Sequence, residues 1–403
     1  MKARGTWPQK IALFDLTPAQ LEELVTSLGE PRYRADQLRG WLYHSLATDF
    51  AQMTNLPRAL RERLAEVAVI HTLVPVAETV SSDGLARKVL FQLQDGETIE
   101  SVLMYYNDGA ARHLGKRARA KHRVKRAGPA RERNTVCAST QVGCAMGCVF
   151  CATGQMGFVR NLTAGEIVEQ VLYFARQLKE GNGSTQEEAT GQRVPQPSSL
   201  IPRSSSLTNV VFMGMGEPLV NYDATWQAIE TLHDPQGFGL GARRMTLSTV
   251  GWVPGIQRLS REKLQVGLAV SLHAPNDDLR NQLVPPSRRY PLDQLMAACR
   301  DYVARTGRRV TFEYALIDGV NDSLELARQL GDLLDGLLCH VNLIPLNPTE
   351  GYPHGPSPYE RTLAFQQELE RRGIPTTLRV RRGLDIQAGC GQLRSRYRMQ
   401  DAR

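Results

Sequence analysis

Residues 137–158 read CASTQVGCAMGCVFCATGQMGF and hold four of the chain's seven cysteines. Three of them, Cys144, Cys148 and Cys151, follow the pattern C-x3-C-x2-C. Thiolates bind both iron and zinc, but structural zinc and ordinary ferredoxin clusters take four protein ligands. This triple has no fourth Cys or His beside it. It therefore predicts an iron–sulfur cluster whose open iron holds a small-molecule cofactor. An incomplete zinc site and buried apolar thiols are the alternatives.

Length and composition describe a globular protein. The 403 residues suffice for two or three domains, and 42% of them are hydrophobic. We see no apolar run of membrane-spanning length, and the start MKARGTWP lacks the apolar segment of a secretory signal. We therefore expect a cytoplasmic protein with no membrane association. An odd number of clustered cysteines favours metal binding or catalysis over a disulfide framework.

The net charge of +8 comes from one segment. Residues 112–133 contain ten Lys or Arg and one carboxylate, and the remaining 39 basic and 40 acidic residues nearly cancel. This basic insert, within residues 107–134, suits contact with nucleic acid. A solvated, disordered loop explains the composition equally well.

The first third of the chain predicts small accessory units. Residues 1–74 contain three short amphipathic helices, the first with Thr17 as N-cap, Pro18 at its first position and Gly29 after its end. Arg32, Arg34 and Arg39 on these helices could contact phosphates, although solvated helix surface is the commoner role. Residues 75–134 form a β-rich linker region with hairpins at 83–84 and 95–96, followed by the basic insert.

From residue 135 to 403 strands alternate with amphipathic helices. Six βα units imply a parallel sheet with right-handed crossovers. Because six units are too few for a closed eight-stranded barrel, we predict an α/β fold with an open, partial (βα)6 barrel. Residues 181–208 are of low complexity and predict a disordered interruption. The six predicted strands are Thr135–Thr140, Asn209–Met213, Met245–Thr249, Val266–Leu272, Val310–Leu316 and Val341–Leu346, and a further one is Thr377–Arg381.

Polar clusters follow the predicted strands, where parallel α/β proteins carry their chemistry. The second strand ends in MGMGEPL (213–219), whose glycines allow close backbone approach to a ligand and whose carboxylate suits a cationic amine. The third, fourth and sixth end in LSTVG, SLHAPN and LIPLNP, which contain Ser248, His273 and Asn347. A Gly-rich turn or a lone His is usually structural, but four such clusters together indicate one site.

Near the carboxyl terminus, DIQAGCGQL sets Cys390 between two glycines. Flanking glycines predict a mobile loop with an exposed sulfur, and access and thiolate character govern cysteine reactivity. Cys390 is therefore a candidate nucleophile. Cys299 and Cys339 lie in helix and strand patterns and are expected to be buried.

Together these motifs resemble the RlmN/Cfr family of radical S-adenosylmethionine RNA adenine methyltransferases. The resemblance covers nearly the whole chain except 107–134 and 181–208, which look like insertions. It implies that Cys144, Cys148 and Cys151 hold a [4Fe–4S] cluster whose open iron chelates S-adenosylmethionine. The cofactor-binding positions that it implies are Gly216, Glu217, Ser248, Ser271, Leu272, His273 and Asn347. The Ala-Gly pair before Cys390 departs from the commoner double alanine.

The resemblance also implies a reaction that uses two molecules of S-adenosylmethionine. Cys390 accepts a methyl group from one of them. The reduced cluster cleaves the second to a 5′-deoxyadenosyl radical, which takes hydrogen from that methyl group, and the resulting carbon radical adds to adenine and crosslinks protein to RNA. Cys137 then forms a disulfide with Cys390 and frees the product. Glu100 is the general base, although its residue pattern alone reads as an exposed strand carboxylate.

The proline after glutamate in GMGEP is more similar to the motif of the family branch that methylates carbon 2 of adenine than to that of the branch that methylates carbon 8. The implied substrates are then adenosines of 23S ribosomal RNA, at the peptidyl-transferase centre, and of the transfer RNA anticodon loop. Family members usually act as monomers with a reductant such as flavodoxin or ferredoxin. A radical enzyme with a protein or small-molecule substrate, and a zinc-containing RNA-binding protein, remain the competing hypotheses.

Overall fold

The computed structural model describes residues 10–106, 133–180, 206–379 and 381–394. Nearly all of the basic insert and of the low-complexity interruption lies outside these ranges, as does Val380 in the last predicted strand. No helix within the described ranges is both long enough and apolar enough to cross a lipid bilayer.

The amino-terminal unit is helical, as predicted. Strand β1 (Ile11–Ala12) pairs with β2 (Ala68–Val69), and between them lie helices α1 (Pro18–Ser27), α2 (Tyr33–Arg39) and α3 (Arg58–Val67). Thr17 and Gln20 form a reciprocal capping box at the start of α1, which satisfies amide groups that a helix leaves unpaired at its first turn. Helix α2 continues into a π-helical turn, Gly40–Ser45.

The β-rich region is an antiparallel meander. Its strands are β3 (Val74–Val80), β4 (Ala86–Gln92) and β5 (Thr98–Tyr106), and the predicted Asp-Gly turns connect them. Strand β5 then pairs antiparallel with β6 (Arg133–Cys137), the first strand of the βα series. The meander therefore belongs to the same ten-stranded sheet as that series. The domain boundaries at residues 74 and 134 stay predictions.

Six strands of the βα series run parallel in the order of the chain, which confirms the predicted α/β class and partial barrel. A seventh parallel strand, β14, lies at one edge and β3 at the other, so the described sheet is open. After β6 the series is β9 (Asn209–Phe212), β10 (Met245–Thr249), β11 (Gly267–Ser271), β12 (Val310–Leu316), β13 (Cys339–Pro345) and β14 (Thr376–Leu378).

Helices and one extra hairpin complete this part. The short strands β7 (Gln141–Gly143) and β8 (Phe158–Asn161) pair antiparallel around the cysteine loop. The sequence predicted one strand from Thr135 to Thr140, but β6 ends at Cys137.

The helices of this region are α4 (Ala152–Met156), α5 (Ala164–Glu180), α6 (Tyr222–His233), α7 (Val253–Leu259), α8 (Asp277–Leu283), α9 (Leu292–Thr306), α10 (Leu324–Leu334) and α11 (Tyr359–Arg371).

Candidate active site

A cavity of about 160 Å³ is lined by residues from the carboxyl ends of the parallel strands. Of the thirteen residues predicted from the sequence, nine line it and four do not. The nine are Cys148, Cys151, Gly216, Glu217, Ser248, Ser271, His273, Asn347 and Cys390. The other four are Cys137, Cys144, Leu272 and Glu100, each of which is buried in the protein around it.

The cysteine loop is held by backbone contacts at both of its ends. The Cys144 amide donates to the Gly157 carbonyl at 2.8 Å. Gly143, with φ +72°, lies so close to this carbonyl that a Cβ would stand 1.9 Å from its oxygen. No residue with a side chain fits there. Farther along, the Cys151 amide donates to the Cys148 carbonyl at 3.1 Å, so the loop closes tightly between these two cysteines.

The donor set of this loop fits an iron–sulfur cluster. Cys144, Cys148 and Cys151 are free thiols in an apolar cluster with Met146, Phe150 and neighbours. Burial raises the pKa of Cys144 to about 12, opposed by the Met146 amide, which donates to its sulfur. Burial also raises the pKa of Cys151, opposed by bonds from Gly154 and Thr153. Such donors stabilise metal-bound thiolates.

Among the described residues, no three His, Cys, Asp or Glu side chains are drawn together tightly enough to hold a single ion. The fit of a cluster therefore rests on the free thiols and their donors. One position on such a cluster would be left for a ligand from outside the protein.

Close backbone approach shapes the next part of the cavity. Gly214 packs on the chain after β6, where a Cβ would lie 2.6 Å from Ser139 Oγ and 2.8 Å from the Ala138 carbonyl. Gly216 has φ +102°, and a Cβ there would meet Gln141 at 2.6 Å. Both positions need glycine, which explains why the MGMGEPL turn can lie directly against the loop that precedes the cysteines.

Glu217 is a buried carboxylate held entirely by neutral donors. The amides of Leu219 and Val250 donate to its two oxygens at 3.2 and 2.9 Å. Burial raises its pKa to about 7, and these bonds together with Thr249 oppose the rise. A cationic amine in the cavity would stabilise the ionised form, which is the chemistry expected for the amino group of S-adenosylmethionine.

Asn347 offers a second polar atom to a ligand. Its Nδ2 donates to the Cys390 carbonyl at 3.0 Å, whereas its buried Oδ1 has no partner among the described residues. Such orphaned acceptors are rare and indicate a missing donor. Gly389 packs against this side chain, and a Cβ there would lie 2.6 Å from Asn347 Nδ2. The Ala-Gly pair before Cys390 thus has a local steric reason.

His273 has a structural anchor as well as a position at the cavity. It adopts the left-handed region with φ +61°, which is strained for a residue with a side chain. Its Nδ1 accepts the Ala315 amide at 3.0 Å, so Nε2 carries the hydrogen when the ring is neutral. Burial, together with nearby Arg280, lowers its pKa to about 3. The ring is therefore neutral near pH 7 and can donate one hydrogen bond.

The carboxyl-terminal loop is bonded to the segment after Cys151. The Ala152 amide donates to the Gly391 carbonyl at 2.7 Å, and the Thr153 hydroxyl donates to the Leu393 carbonyl at 2.6 Å. Cys390 is exposed on this loop, as predicted. The surrounding protein nevertheless displaces enough water to raise the pKa of its thiol, and Arg379 opposes that rise.

Cys137 lies behind the cavity at the end of β6. Burial raises the pKa of its thiol, as does the negative charge that a Cys390 thiolate would carry, whereas a hydrogen bond from the Met213 amide lowers it. All seven cysteines are free thiols, so Cys137 and Cys390 are not joined in this state. Cys299 and Cys339 are buried, as predicted.

Glu100 is buried on β5, not exposed as its residue pattern alone suggested. Its Oε1 forms an ion pair with Lys88 Nζ at 2.9 Å, and its Oε2 accepts the Arg394 amide at 2.9 Å. Burial raises the pKa of Glu100 and Lys88 lowers it. The carboxylate therefore touches the loop that carries Cys390, although it does not line the cavity itself.

Comparisons with known proteins agree with these motifs. A family model, the Ribosomal RNA large subunit methyltransferase N-terminal domain, matches residues 11–70. The Probable dual-specificity RNA methyltransferase RlmN of Chloroflexus aurantiacus is 49% identical over 391 residues, 96% of this chain and 93% of that protein. The Ribosomal RNA large subunit methyltransferase N of Nitrosopumilus maritimus is 44% identical over 95% of this chain and 98% of its own length. The chain belongs to the RlmN family.

A solved structure supports the same assignment. The crystal structure of a radical SAM methyltransferase from Sphaerobacter thermophilus superimposes with a TM-score of 0.82 at 52% identity, covering 95% of this chain and 99% of that one. Radical SAM membership implies S-adenosylmethionine and a [4Fe–4S] cluster, the two groups that the cavity residues were predicted to hold.

Two further charged residues line the cavity of this RlmN-family chain. Glu313 on β12 is buried and accepts a bond from Asn342 Nδ2 at 2.8 Å. Arg379, after β14, also lines the cavity. Burial is the largest single effect and lowers its pKa, but Glu313, Tyr106, Cys390 and Cys137 together outweigh it, so the pKa of Arg379 is raised. Glu313 could have been recognised in the sequence, because it is a charged residue inside the apolar run VTFEYAL. No sequence feature marks Arg379 as a residue of the cavity.

The three arginines proposed as phosphate contacts have different surroundings. Arg32 is exposed. Arg34 donates to Gln37 Oε1 and to the Asn55 carbonyl. For Arg39 the prediction of a surface side chain is wrong, because it is buried and pairs with Asp234 of the core. Its guanidinium joins the amino-terminal unit to α6 of the RlmN-family core and is not available to RNA.

Proposed function

We propose that this protein is a radical S-adenosylmethionine methyltransferase that methylates carbon 2 of adenine in RNA. One observation supports the proposal above the others: a single cavity is lined both by Cys148 and Cys151 of the cysteine loop and by Cys390 of the carboxyl-terminal loop. A thiol that can carry a methyl group thus lies beside the site for a cluster that can generate a radical.

The cofactors have clear candidate ligands. Cys144, Cys148 and Cys151 would hold the [4Fe–4S] cluster. Gly216, Glu217, Ser248, Ser271, Leu272, His273 and Asn347 would hold S-adenosylmethionine, with Glu217 and Asn347 offering acceptors to its amino group. When bound, the two groups supply a 5′-deoxyadenosyl radical. Carbon 2 of adenine is not nucleophilic, so direct polar transfer of a methyl group to it would fail.

Two thiols carry out the covalent part in this proposal. Cys390 would accept a methyl group from one S-adenosylmethionine, whose sulfur leaves as a neutral thioether. The methyl carbon would then lose one hydrogen atom to the radical and bond to carbon 2 of adenine, which would give up its own hydrogen as a proton and return one electron to the cluster. Cys137 then attacks the sulfur of Cys390. The sulfur–carbon bond breaks with its electron pair going to carbon, which takes up a proton to become the methyl group of the product, and a disulfide forms between the two cysteines. Two electrons from outside must reduce that disulfide before the next turnover, and a second S-adenosylmethionine is consumed as radical source.

Glu100 is proposed to take the proton from carbon 2. Its pairing with Lys88 favours the ionised form of this buried carboxylate, the form in which a base acts. A base must come within hydrogen-bond reach of its proton, so Glu100 has to leave the Arg394 amide, or share it, when RNA is bound. The contact to Arg394 would thereby link proton removal to the loop that carries Cys390.

The substrates are proposed from the family. Relatives are named dual-specificity RNA methyltransferases, and we infer 23S ribosomal RNA and transfer RNA for this chain. Proline at 218, after Glu217, supports carbon 2 over carbon 8. We further propose a cytoplasmic monomer reduced by flavodoxin or ferredoxin, because RNA substrates and low-potential carriers are found there.

Trapping the covalent intermediate tests the proposal. Anaerobically reconstituted Cys137→Ala protein, given S-adenosylmethionine, reductant and RNA, should accumulate a protein–RNA adduct at Cys390. Cys299→Ala, which removes a buried thiol outside the cavity, should turn over without an adduct. Peptide mass spectrometry of the purified wild type should find one methyl group on Cys390. An unmodified Cys390 and no adduct, in protein with an intact cluster, would favour a radical enzyme with another substrate.

A further inference from the structure

Helix α8 (Asp277–Leu283) covers the cysteine loop. The Val149 amide, inside that loop, donates to the Leu283 carbonyl at 3.2 Å. Leu279 and Leu283 pack in the same apolar cluster as Cys144 and Cys148. A charged side chain on this helix therefore acts at close range on the thiols, with little water between to screen it.

Arg280 is such a side chain, and it is 1% exposed. Its Nε donates to the Leu272 carbonyl at 3.3 Å and its Nη2 to the Val250 carbonyl at 2.6 Å. Both acceptors are neutral, and the carboxylate that acts on its charge is Asp277, at the start of the same helix, which partly opposes the lowering of the Arg280 pKa by burial. Its Nη1 is buried and has no partner among the described residues. An unpartnered guanidinium nitrogen in the interior is costly unless it serves an acceptor that the protein itself does not provide.

The charge of Arg280 reaches the residues around the cavity. Its neighbour Leu279 and Leu283 of the same helix pack in the apolar cluster that contains Cys148. The charge also helps to keep His273 neutral. The two carbonyls that it binds belong to the chain after β10 and after β11, where Val250 and Ser271 line the cavity.

We propose that Arg280 is a positioning residue that tunes the cluster: its fixed positive charge beside Cys148 stabilises the reduced cluster, and its free Nη1 is kept for an acceptor in the cluster site. The inference rests on the proposed cluster at the three cysteines. Reduction adds one negative charge to a site that already contains three thiolates. A buried cation favours that step, since net charge and hydrogen bonds set cluster potentials.

The effect should be large enough to measure. Arg280 carries one unit charge on the helix that covers the cysteine loop. At an effective dielectric of about 20, removing that charge should lower the ratio of reduced to oxidised cluster, at a fixed potential, by about tenfold. For a one-electron couple this equals a shift of about 59 mV to more negative potential.

The test is a redox titration, followed by electron paramagnetic resonance, of anaerobically reconstituted full-length protein without S-adenosylmethionine and RNA. Arg280→Met should show the tenfold shift, whereas Arg280→Lys, which keeps the charge, should stay within about threefold of the wild type. Arg308→Met is the matched control, because it removes a second arginine with an unpartnered Nη1 among the described residues, in this case a partly buried one. Arg308 precedes β12, at the opposite end of the strands from the cysteines, and its loss should leave the potential unchanged.

Several results would overturn the inference. An unchanged potential in Arg280→Met, or equal shifts in the Lys and Met variants, would reduce Arg280 to a structural tether. A shift seen only with S-adenosylmethionine present would place its action on that cofactor. If Arg280→Met takes up less iron, Arg280→Gln replaces it, and loss of the cluster in both variants would also make the role structural. Wild-type protein that takes up no iron would refute the proposed cluster itself.

Discussion

Asn321 is a buried amide near the cavity that makes three side-chain hydrogen bonds, and its removal should be costly. Its Nδ2 donates to the carbonyls of His273 and Ala315 at 2.8 and 2.6 Å, and its Oδ1 accepts the Ile317 amide at 2.7 Å. The side chain is fully buried. It thereby fixes His273 in its left-handed conformation and connects the ends of β11 and β12 at the cavity.

The expected cost of Asn321→Ala follows from those three bonds. At about 1 kcal/mol each they contribute about 3 kcal/mol, and leaving an amide and two carbonyls unsatisfied in the interior adds about 1–2 kcal/mol more. We therefore expect the free energy of unfolding to fall by about 4–5 kcal/mol. S-adenosylmethionine affinity should fall as well, because the bond from the Ala315 amide to Nδ1 would be left to hold His273 against its backbone strain without the help of Asn321.

Equilibrium urea unfolding of the metal-free protein measures this cost as a lower midpoint with an unchanged slope. Asn281→Ala is the control, because that half-buried side chain accepts one bond, from Ser287 Oγ at 2.5 Å, and forms no described bond to His273. Its loss should cost about 1 kcal/mol. A fall of less than about 1 kcal/mol for Asn321→Ala, or unchanged cofactor affinity in a folded variant, would refute the reasoning.

Three more predictions follow from single contacts. Lys88→Met removes the larger of the two partners that oppose the desolvation of Glu100, leaving Arg394, and so raises the pKa of that carboxyl further. The acid limb of the methylation pH–rate profile should therefore move to higher pH; an unmoved limb would remove Glu100 as the base. Burial raises the pKa of Glu217 to about 7, so the folded protein keeps a proton that the unfolded chain releases from about pH 4.5. The resulting stability is complete below pH 4.5 and is lost as pH rises through 7. The metal-free wild type should therefore lose about 3 kcal/mol relative to Glu217→Gln over that range in urea titrations, and parallel curves would contradict this. Gly214→Ala, which places a Cβ 2.6 Å from Ser139 Oγ, should weaken S-adenosylmethionine binding about tenfold by calorimetry, whereas Gly241→Ala, whose Cβ would meet Arg244 Cδ at an ordinary 4.0 Å, should not.

Local signals predicted most of the fold. The strands of the βα series are short, apolar and β-branched, and the Asp-Gly turns and the capping box at Thr17 act within a few residues. Strands β10 and β12 match their predicted bounds. The pairing of β5 with β6 was not predicted, because it depends on register between strands on either side of a long insert.

Contacts between residues distant in sequence also limited what could be predicted about the site. Residues inside sequence motifs could be assigned from the sequence, and nine of them line one cavity. Arg39, Arg280 and Arg379 could not, since their roles depend on partners that are distant in sequence. Arg39 pairs with Asp234, 195 residues later, and Arg280 differs from a surface arginine only through the helix that covers it. A charged residue in a helix pattern predicts a solvent-exposed side chain. Only the folded structure shows the residue that buries it or pairs with it.

Identifying the product tests the central claim most directly. Anaerobically reconstituted protein would be incubated with S-adenosylmethionine, a reductant and unmodified 23S ribosomal RNA or transfer RNA, and the digested RNA analysed by mass spectrometry against authentic standards. We predict 2-methyladenosine that appears with the wild type and is lost in Cys390→Ala. If 8-methyladenosine were the sole product, the protein would belong with the carbon-8 enzymes. Absence of any methylated adenosine, from protein with an intact cluster, would contradict the proposed function.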